Sequence, residues 1–454
     1  MHRNRRNLTK LLFLPGVALL VLITEARWAT AAAPTGLTPF HGAHAFLSLP
    51  PSTNAPLPQR LSQTGAFRDV ARLMPASGLV PYDINVSFWS DGAEKSRWCA
   101  VPDSGKIGFS PTGEWTFPAG TVFVKHFEIA TNDADPTSRR RLETRLLVRT
   151  PDGGVYGATY KWRADNRDAD LLSSNLTEAI PIRTSTGIRT QLWYYPSRQD
   201  CLQCHTRNAG GVLGVKTRQL NRTLTSPSGT TENQLRAWSQ AGLFSLSLND
   251  AEIQQLPALA QPDDPDRSLE DRARSYLDAN CAQCHRPKGT VANFDARYDT
   301  PLARQGLIDG EVLINEGIDH ARIIAPHDVW RSILLLRIST NGDLRMPPLA
   351  RNTVDERGNQ LIRDWIESLP GPPVLNPPSI TPAGGHFDHP VLVTLNAQPQ
   401  AAVHYTLDGS MPTEKDPLYE KPFTLSAPAV VRAKSFRPGY TRSITAQQVY
   451  VVSQ

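Results

Sequence analysis

Cys201-Leu202-Gln203-Cys204-His205 and Cys281-Ala282-Gln283-Cys284-His285 are two copies of one five-residue pattern, and together they take four of the five cysteines in the 454-residue chain. Residues three apart on a helical turn share a face. Both thiols of a pair can therefore add to the two vinyl groups on one edge of a haem, with the next residue, histidine, held beneath the iron as its proximal ligand. A structural zinc site built from two Cys-x-x-Cys pairs normally has about 15 to 20 residues between them, whereas Cys204 and Cys281 are 77 positions apart. Zinc also gives no reason for a histidine after each pair. A thioredoxin-like redox pair needs a βαβ setting that neither motif has, and a disulfide inside either pair would be strained and would leave the histidines unexplained. The reading is two covalent c-type haems, tethered by Cys201, Cys204, Cys281 and Cys284, with iron ligands His205 and His285.

The remaining axial positions are read from what lies nearby. Met346, in Arg345-Met346-Pro347-Pro348-Leu349, falls between two helical patterns, Val329 to Ile338 and Asp355 to Ser368, and is one of only four methionines. A thioether on such a loop can reach the far face of the second haem and raise its reduction potential. The first motif is followed by a Gly-rich apolar loop, Gly210 to Lys216, without thioether or imidazole. The first candidate there is His126, in a predicted strand Thr121 to Glu128, followed by Met74 and Lys216; otherwise that iron is five-coordinate.

The N-terminus reads as an address. Basic residues in the first ten positions precede an apolar run from Leu11 to Ile23 and then Ala29-Thr30-Ala31-Ala32-Ala33, the layout of a secretory signal with cleavage near Ala31. Thirteen apolar residues are too few to span a bilayer core of about 30 Å. Arg5-Arg6 is read as an ordinary basic region rather than a twin-arginine signal, because haem attachment is done on an unfolded chain after export. Four of the formal +5 charges lie in this segment. The mature chain is therefore near +1, four haem propionates make it acidic, and nucleic acid is excluded as a partner. No later stretch is long and apolar enough to cross a membrane.

Beyond the signal at 1–31, three segments follow. A β-rich domain with the first haem motif is expected over 61–260. Its strands include Arg141 to Arg149, turned by Pro151-Asp152-Gly153-Gly154 into Val155 to Trp162, and its core is expected from Trp89, Trp98, Trp115, Trp162 and Trp193, with Cys99 a buried hydrophobe. Helical signals take over at Thr231 to Ala241, and Ser268-Leu269-Glu270-Asp271 caps a helix running into the second motif. Ser268 to Leu369 looks like a self-contained, all-α cytochrome c domain. A stiff Pro-rich linker at 370–378 leads to short strands at Val391 to Leu395, Val403 to Leu407, Phe423 to Leu425 and Ala429 to Ser435. Asp408-Gly409 supplies a turn there, and the spacing points to an immunoglobulin-like β-sandwich over 379–454.

Tyr82-Asp83-Ile84-Asn85, Phe88-Trp89-Ser90-Asp91-Gly92-Ala93, Arg140 to Arg145, Gly211-Val212-Leu213-Gly214, Met346-Pro347-Pro348 and Asp364-Trp365-Ile366 resemble a family of exported bacterial dihaem c-type cytochromes, over roughly Leu61 to Leu369. That resemblance implies electron transfer in the periplasm with exported redox partner proteins, a dehydrogenase or a terminal acceptor. Tyr405 to Thr413 and Lys434 to Tyr440 are similar to the module at the C-terminus of chitobiase and β-hexosaminidase-type enzymes. The implied role is a spacer, or a domain docking protein or carbohydrate, without glycosidase residues. A dihaem enzyme such as a peroxidase, and a haem-based sensor or binding protein, are the competing functions.

Overall fold

A computed structural model describes residues 47–52, 55–103, 105–226 and 229–453, so the expected signal at 1–31 lies outside the described residues. The first part is built on an antiparallel sheet. After a small hairpin, β1 (Phe67–Asp69) with β2 (Met74–Pro75), the strands β3 (Val80–Pro81), β4 (Glu94–Ala100), β5 (Val122–Ala130), β6 (Arg139–Arg149), β7 (Val155–Trp162) and β8 (Ala169–Leu171) pair in chain order. Side chains on a strand point alternately to the two faces, and both faces here are covered. Val122 and Val124 pack with Leu146, Tyr160 and Trp162 on one side. Phe123 and Cys99 pack with Trp115 and Trp238 on the other.

A long hairpin, β9 (Leu176–Thr184) with β10 (Gly187–Tyr195), closes a third cluster in which Trp193 and Tyr195 meet Phe127 and Leu142. The expected single tryptophan core is thus divided: Trp162, Trp115 and Trp193 sit in three clusters, Trp98 only borders the first, and Trp89 belongs to none. The Arg139-Arg140-Arg141 run is neutralised residue by residue, by Glu94, Glu178 and Glu128.

The helices α1 (Arg198–Cys204), α2 (Thr217–Leu220), α3 (Gln234–Gln240) and α4 (Asp250–Gln255) follow, with a hairpin of β11 (Thr223–Thr225) and β12 (Thr231–Asn233) after α2. The helix expected from Thr231 therefore starts later. Its first three residues pair as a strand, and the Asn233 side chain accepts from the Leu235 N–H at 2.9 Å to cap α3.

Between 268 and 369 three helices, α5 (Leu269–Asn280), α6 (Ile333–Ser339) and α7 (Glu356–Ser368), surround a core of their own that includes Leu277, Leu335, Ile362 and Trp365. Ser268 Oγ accepts from the Asp271 N–H at 3.1 Å, and Asp355 caps α7 through the Gly358 N–H at 3.1 Å. A Cβ on Gly358 would lie 2.3 Å from the Tyr276 ring, so only glycine lets α5 and α7 approach this closely. Most of the chain from Cys281 to Ser332 is turns and irregular structure, so an all-α segment is narrowed to three helices with long loops. The helix expected from Val329 begins at Ile333, because the Asp328 carboxylate takes the Trp330 and Arg331 N–H groups and holds a turn there.

The last part is a two-sheet β structure. One sheet has the order β13 (Ser379–Thr381), β15 (Val391–Asn396), β17 (Phe423–Leu425). The other runs β14 (Gly385–Phe387), β19 (Ala446–Val452), β18 (Ala429–Phe436), β16 (Ala402–Thr406). The 370–378 segment is not a free spacer, since Thr441 N–H donates to Pro373 O (2.8 Å) and Leu375 N–H to Thr441 O (3.0 Å). Buried Arg331 bonds the Arg442 and Ser443 carbonyls as well as Asp319 and Asp328, and Lys434 Nζ reaches Asp319 at 2.7 Å. The C-terminal module is therefore fastened to the helical region.

Candidate functional site

The first motif sits on α1, whose start is fixed by a reciprocal cap. The Asp200 carboxylate accepts from Ser197 N–H at 2.8 Å, and Ser197 Oγ accepts from Asp200 N–H at 3.2 Å. One turn on, Cys201 and Cys204 line a cavity of about 200 Å³. Cys201 lies directly on Gly157 of β7, where a Cβ would meet its Sγ at 2.6 Å. The chain then turns back through Gly210 and Gly211, both with φ near +80° (79° and 77°), which brings the Gly211 carbonyl to His205 Nδ1 at 2.9 Å.

That bond decides the tautomer. With the Nδ1 proton donated to the carbonyl, the Nε2 lone pair is free, and among the described residues Nε2 has no hydrogen-bond partner. Burial first, then the charges of Lys125 and Arg145, lower the His205 pKa to about 4 against the pull of the Gly211 carbonyl, so the imidazole is neutral near pH 7. Phe123, Leu147, Val212 and Leu213 supply apolar walls and Arg145 supplies positive charge, while burial and the charges of Arg97, Lys95 and Arg145 hold the Lys125 amine well below its ordinary pKa.

The second motif begins where α5 ends. Cys281 is its C-cap, and Cys284 and His285 follow in a turn whose N–H groups donate to Cys281 O at 3.1 and 2.9 Å. The one-turn spacing survives outside a regular helix. Burial lifts the Cys281 thiol to about 12. The His285 ring stacks on Phe294 at 4.2 Å between centroids, and burial, with the Arg337 charge, lowers its pKa to about 4. Its Nδ1 is buried with no hydrogen-bond partner, an orphaned polar atom worth about 1–3 kcal/mol.

The two motifs meet. Cys204 and Cys284 perturb each other: the neighbouring sulfur and burial hold Cys204 well above its ordinary pKa, while Cys284 is drawn down by Cys204 and by Arg286. Arg286 bonds Asn208 O at 3.2 Å and Glu114 at 2.9 Å, and Asn208 Nδ2 donates to Pro287 O at 3.1 Å. Lys216, on the loop after the first motif, pairs with Asp278, three residues before the second, at 2.6 Å; both are buried.

Met346 lies on the α6–α7 loop, half-buried. Its N–H donates to Arg337 O at 2.9 Å and its carbonyl accepts from Arg351 at 2.9 Å. His126 is not at the first site. Phe123 and Lys125 of β5 line the cavity, and His126 has the opposite parity. Its Nδ1 bonds Thr144 at 2.8 Å, its Nε2 faces Glu128 at 3.3 Å, and its ring abuts Trp162. Met74, in β2, does not line the cavity either, and the Lys216 amine is committed to Asp278.

Among the described residues no group of three or more His, Cys, Asp or Glu could hold a metal ion unaided. The donor set does fit a tethered haem: paired thiols one turn apart, a neutral imidazole with a free Nε2, apolar walls, and the Arg145 guanidinium to face a carboxylate.

Residues 382–447 match the family model of the chitobiase/beta-hexosaminidase C-terminal domain. The match covers β14 to β18 with their connections and reaches the start of β19, and it agrees with the two-sheet arrangement seen there. No curated protein matches the chain.

Sequence reasoning did not find Gly157, whose missing side chain admits Cys201, or Asp278, the partner of Lys216. A glycine inside an otherwise β-branched and aromatic strand was the available signal for the first. A pair 62 positions apart leaves none.

Proposed function

We propose that this chain is an exported, periplasmic dihaem c-type cytochrome that passes electrons between redox partner proteins. The observation that carries the reading is the convergence of the two Cys-x-x-Cys-His motifs, Cys204 against Cys284, with His205 held by Gly211 so that its Nε2 is free. When bound, each haem supplies an iron that takes up and returns one electron. The chain's residues do the rest. Each cysteine pair tethers one edge of a haem, and His205 and His285 present neutral imidazoles. Phe123, Val212 and Leu213 exclude water at the first site, and Arg145, which lines the same cavity, would face a propionate. Met346 is the proposed distal ligand of the second haem. The helical region 268–369 is, on this reading, a cytochrome c domain, and the C-terminal module a docking domain for protein or carbohydrate.

A second reading, a dihaem enzyme such as a peroxidase, is favoured by one observation: among the described residues no thioether or second imidazole lines the first cavity. The test begins with the exported protein under denaturing conditions, which should retain two covalent haems, and one in the Cys281→Ala, Cys284→Ala double variant. Haem-free protein would overturn both readings. Low-spin spectra at both haems with no response to peroxide or carbon monoxide would support the carrier; a high-spin haem that binds either would support the enzyme. Met346→Ala should lower the second haem's potential, since a methionine ligand raises it.

A further inference from the structure

The Phe88–Gly92 loop, which joins β3 to β4 in the first part of the chain, reaches across to both flanks of the second motif's site. Trp89 N–H donates to Asn280 Oδ1 at 2.8 Å, and Asn280 immediately precedes Cys281. Trp89 Nε1 donates to Thr353 O at 3.0 Å. The Asp91 carboxylate accepts from Asn352 N–H (2.7 Å), Asn352 Nδ2 (2.9 Å), Thr353 N–H (2.8 Å) and Thr353 Oγ1 (3.2 Å), all on the segment that follows Met346. Asp91 is buried and sits at φ +51°, a left-handed conformation that a non-glycine residue adopts only at a cost. Its own carbonyl is held from the other side by Gln191 of β10 at 2.6 Å, and Lys95 Nζ donates to Phe88 O at 3.0 Å. One strained loop, anchored in the sheet, thus grips the residue before Cys281 and the two residues at the end of the Met346 loop. Arg351, next to the gripped pair, bonds the Met346, Ile338 and Thr340 carbonyls.

We infer that Asp91 is a positioning residue for the axial methionine of the second haem, setting through Asn352 and Thr353 how far Met346 stands from the His285 side. The inference rests on the dihaem reading. Four hydrogen bonds to one buried carboxylate fix the loop to Asn352 and Thr353, and the Trp89 N–H bond fixes the same loop to Asn280 beside the motif. A shift of the 346–353 segment would open the sulfur–iron distance while leaving the covalent tether intact.

The test uses the full-length holo-protein. In the ferric state a methionine-ligated haem shows a far-red sulfur-to-iron charge-transfer band, which reports ligation directly. In Asp91→Ala both haems should remain covalently attached, while the ratio of methionine-ligated to unligated second haem falls about tenfold, the equivalent of one or two such bonds. The second haem's potential should drop with it. Asp91→Asn, which keeps one carbonyl acceptor, should lie between. Trp89→Phe and Asn352→Ala each remove a single donor and should shift the band in the same direction by less; they decide the matter if Asp91→Ala does not fold. An unchanged band and potential in these variants, with two haems present, overturns the positioning role, as does a wild-type protein that has two haems but no such band. Absence of covalent haem from the wild type is the separate failure of the dihaem reading.

Discussion

Replacing Gly157 by alanine asks whether the first motif's seat on the sheet is as tight as it is drawn. The new Cβ would stand 2.6 Å from Cys201 Sγ and 3.0 Å from Cys201 Cβ. An ordinary heavy-atom contact is about 3.5–4.0 Å, so the sulfur must retreat by about 1 Å. Rotating the thiol clears Sγ but not Cβ, and α1 itself has to lift from β7. Overpacking of this kind costs about 1–3 kcal/mol, and replacing a glycine inside a strand returns roughly 0.5–1 kcal/mol, so a net loss of up to about 2.5 kcal/mol, centred near 1, is expected. Haem attachment precedes folding on the reading above, so the count of two haems should be unaffected. What should change is the first haem's potential and spectrum, together with the urea midpoint. Gly439→Ala is the control: it lies in the C-terminal module at φ +79° with no atom within 4 Å of the new Cβ. It should lose stability through backbone strain alone and leave both haem spectra as they were. A Gly157→Ala protein as stable as wild type, with an unshifted first haem, would refute the steric argument.

Arg331→Ala removes a guanidinium that is 5% exposed and satisfies Asp319, Asp328 and two carbonyls of the C-terminal module. Stranding the buried Asp328 carboxylate costs about 3–5 kcal/mol, to be read from equilibrium unfolding; a loss under about 1 kcal/mol would mean that the network is solvated and the module loosely held. Asp319 also predicts an acid dependence. Burial alone would raise its pKa, but the Lys434 hydrogen bond and the charges of Arg331 and Lys434 outweigh it and hold it below the ordinary value. Its stabilising contribution is therefore complete above the unfolded aspartate pKa of about 3.9 and is lost as pH falls through the lower folded value. Asp319→Asn should flatten the urea-midpoint profile in that acid window, and an unaltered slope would contradict the assignment. Lys216→Met leaves Asp278, 1% exposed at its side chain, without its cation and should cost about 3–5 kcal/mol, most of it recovered when Asp278→Leu is added. No recovery in the double variant would show that Lys216 matters for something other than the pair.

Local pattern carried much of this fold. Val155 to Trp162 and Phe423 to Leu425 appear with the expected bounds, Ser268 and Asp355 cap the expected helices, and Cys99 is a buried free thiol. Each of these depends on neighbours in sequence: turn chemistry, a cap three residues upstream, a period of two. The errors share the opposite property. His126 looked available because it is an imidazole on a strand, yet strand parity puts it on the face away from the cavity, where Thr144 and Glu128 occupy its nitrogens. Thr231 to Asn233 pair with a hairpin partner that helical periodicity does not register. The Pro-rich 370–378 stretch is stiff, as proline implies, but is stitched to Thr441 by contacts that composition does not encode. The paired cysteines and their histidines stand out in the sequence because one motif of five adjacent residues occurs twice. Asp91 was legible only as part of a resemblance, since its four donors stand 261 and 262 positions away.

The same contacts bear on where the functional unit ends. In sequence, an Asp- and Pro-rich stretch from Gln261 to Arg267 separates a β-rich domain from a helical one, and each has a hydrophobic core of its own. In space that boundary does not isolate the two motifs. Lys216 and Asp278 are buried against each other across it, Arg286 closes on Glu114 and Asn208, Cys204 touches Cys284, and Trp89 and Asp91 reach to Asn280 and Thr353. A buried ion pair split between two independent domains would expose two charges to bulk water whenever they separated and would have to re-form desolvated on each return. Such an arrangement is stable only if the parts stay together. Cutting the chain between Ala260 and Ser268 should therefore not yield two working halves: each fragment would carry one Cys-x-x-Cys-His motif, half of the Lys216–Asp278 pair, and an exposed face that in the intact protein is covered by the other.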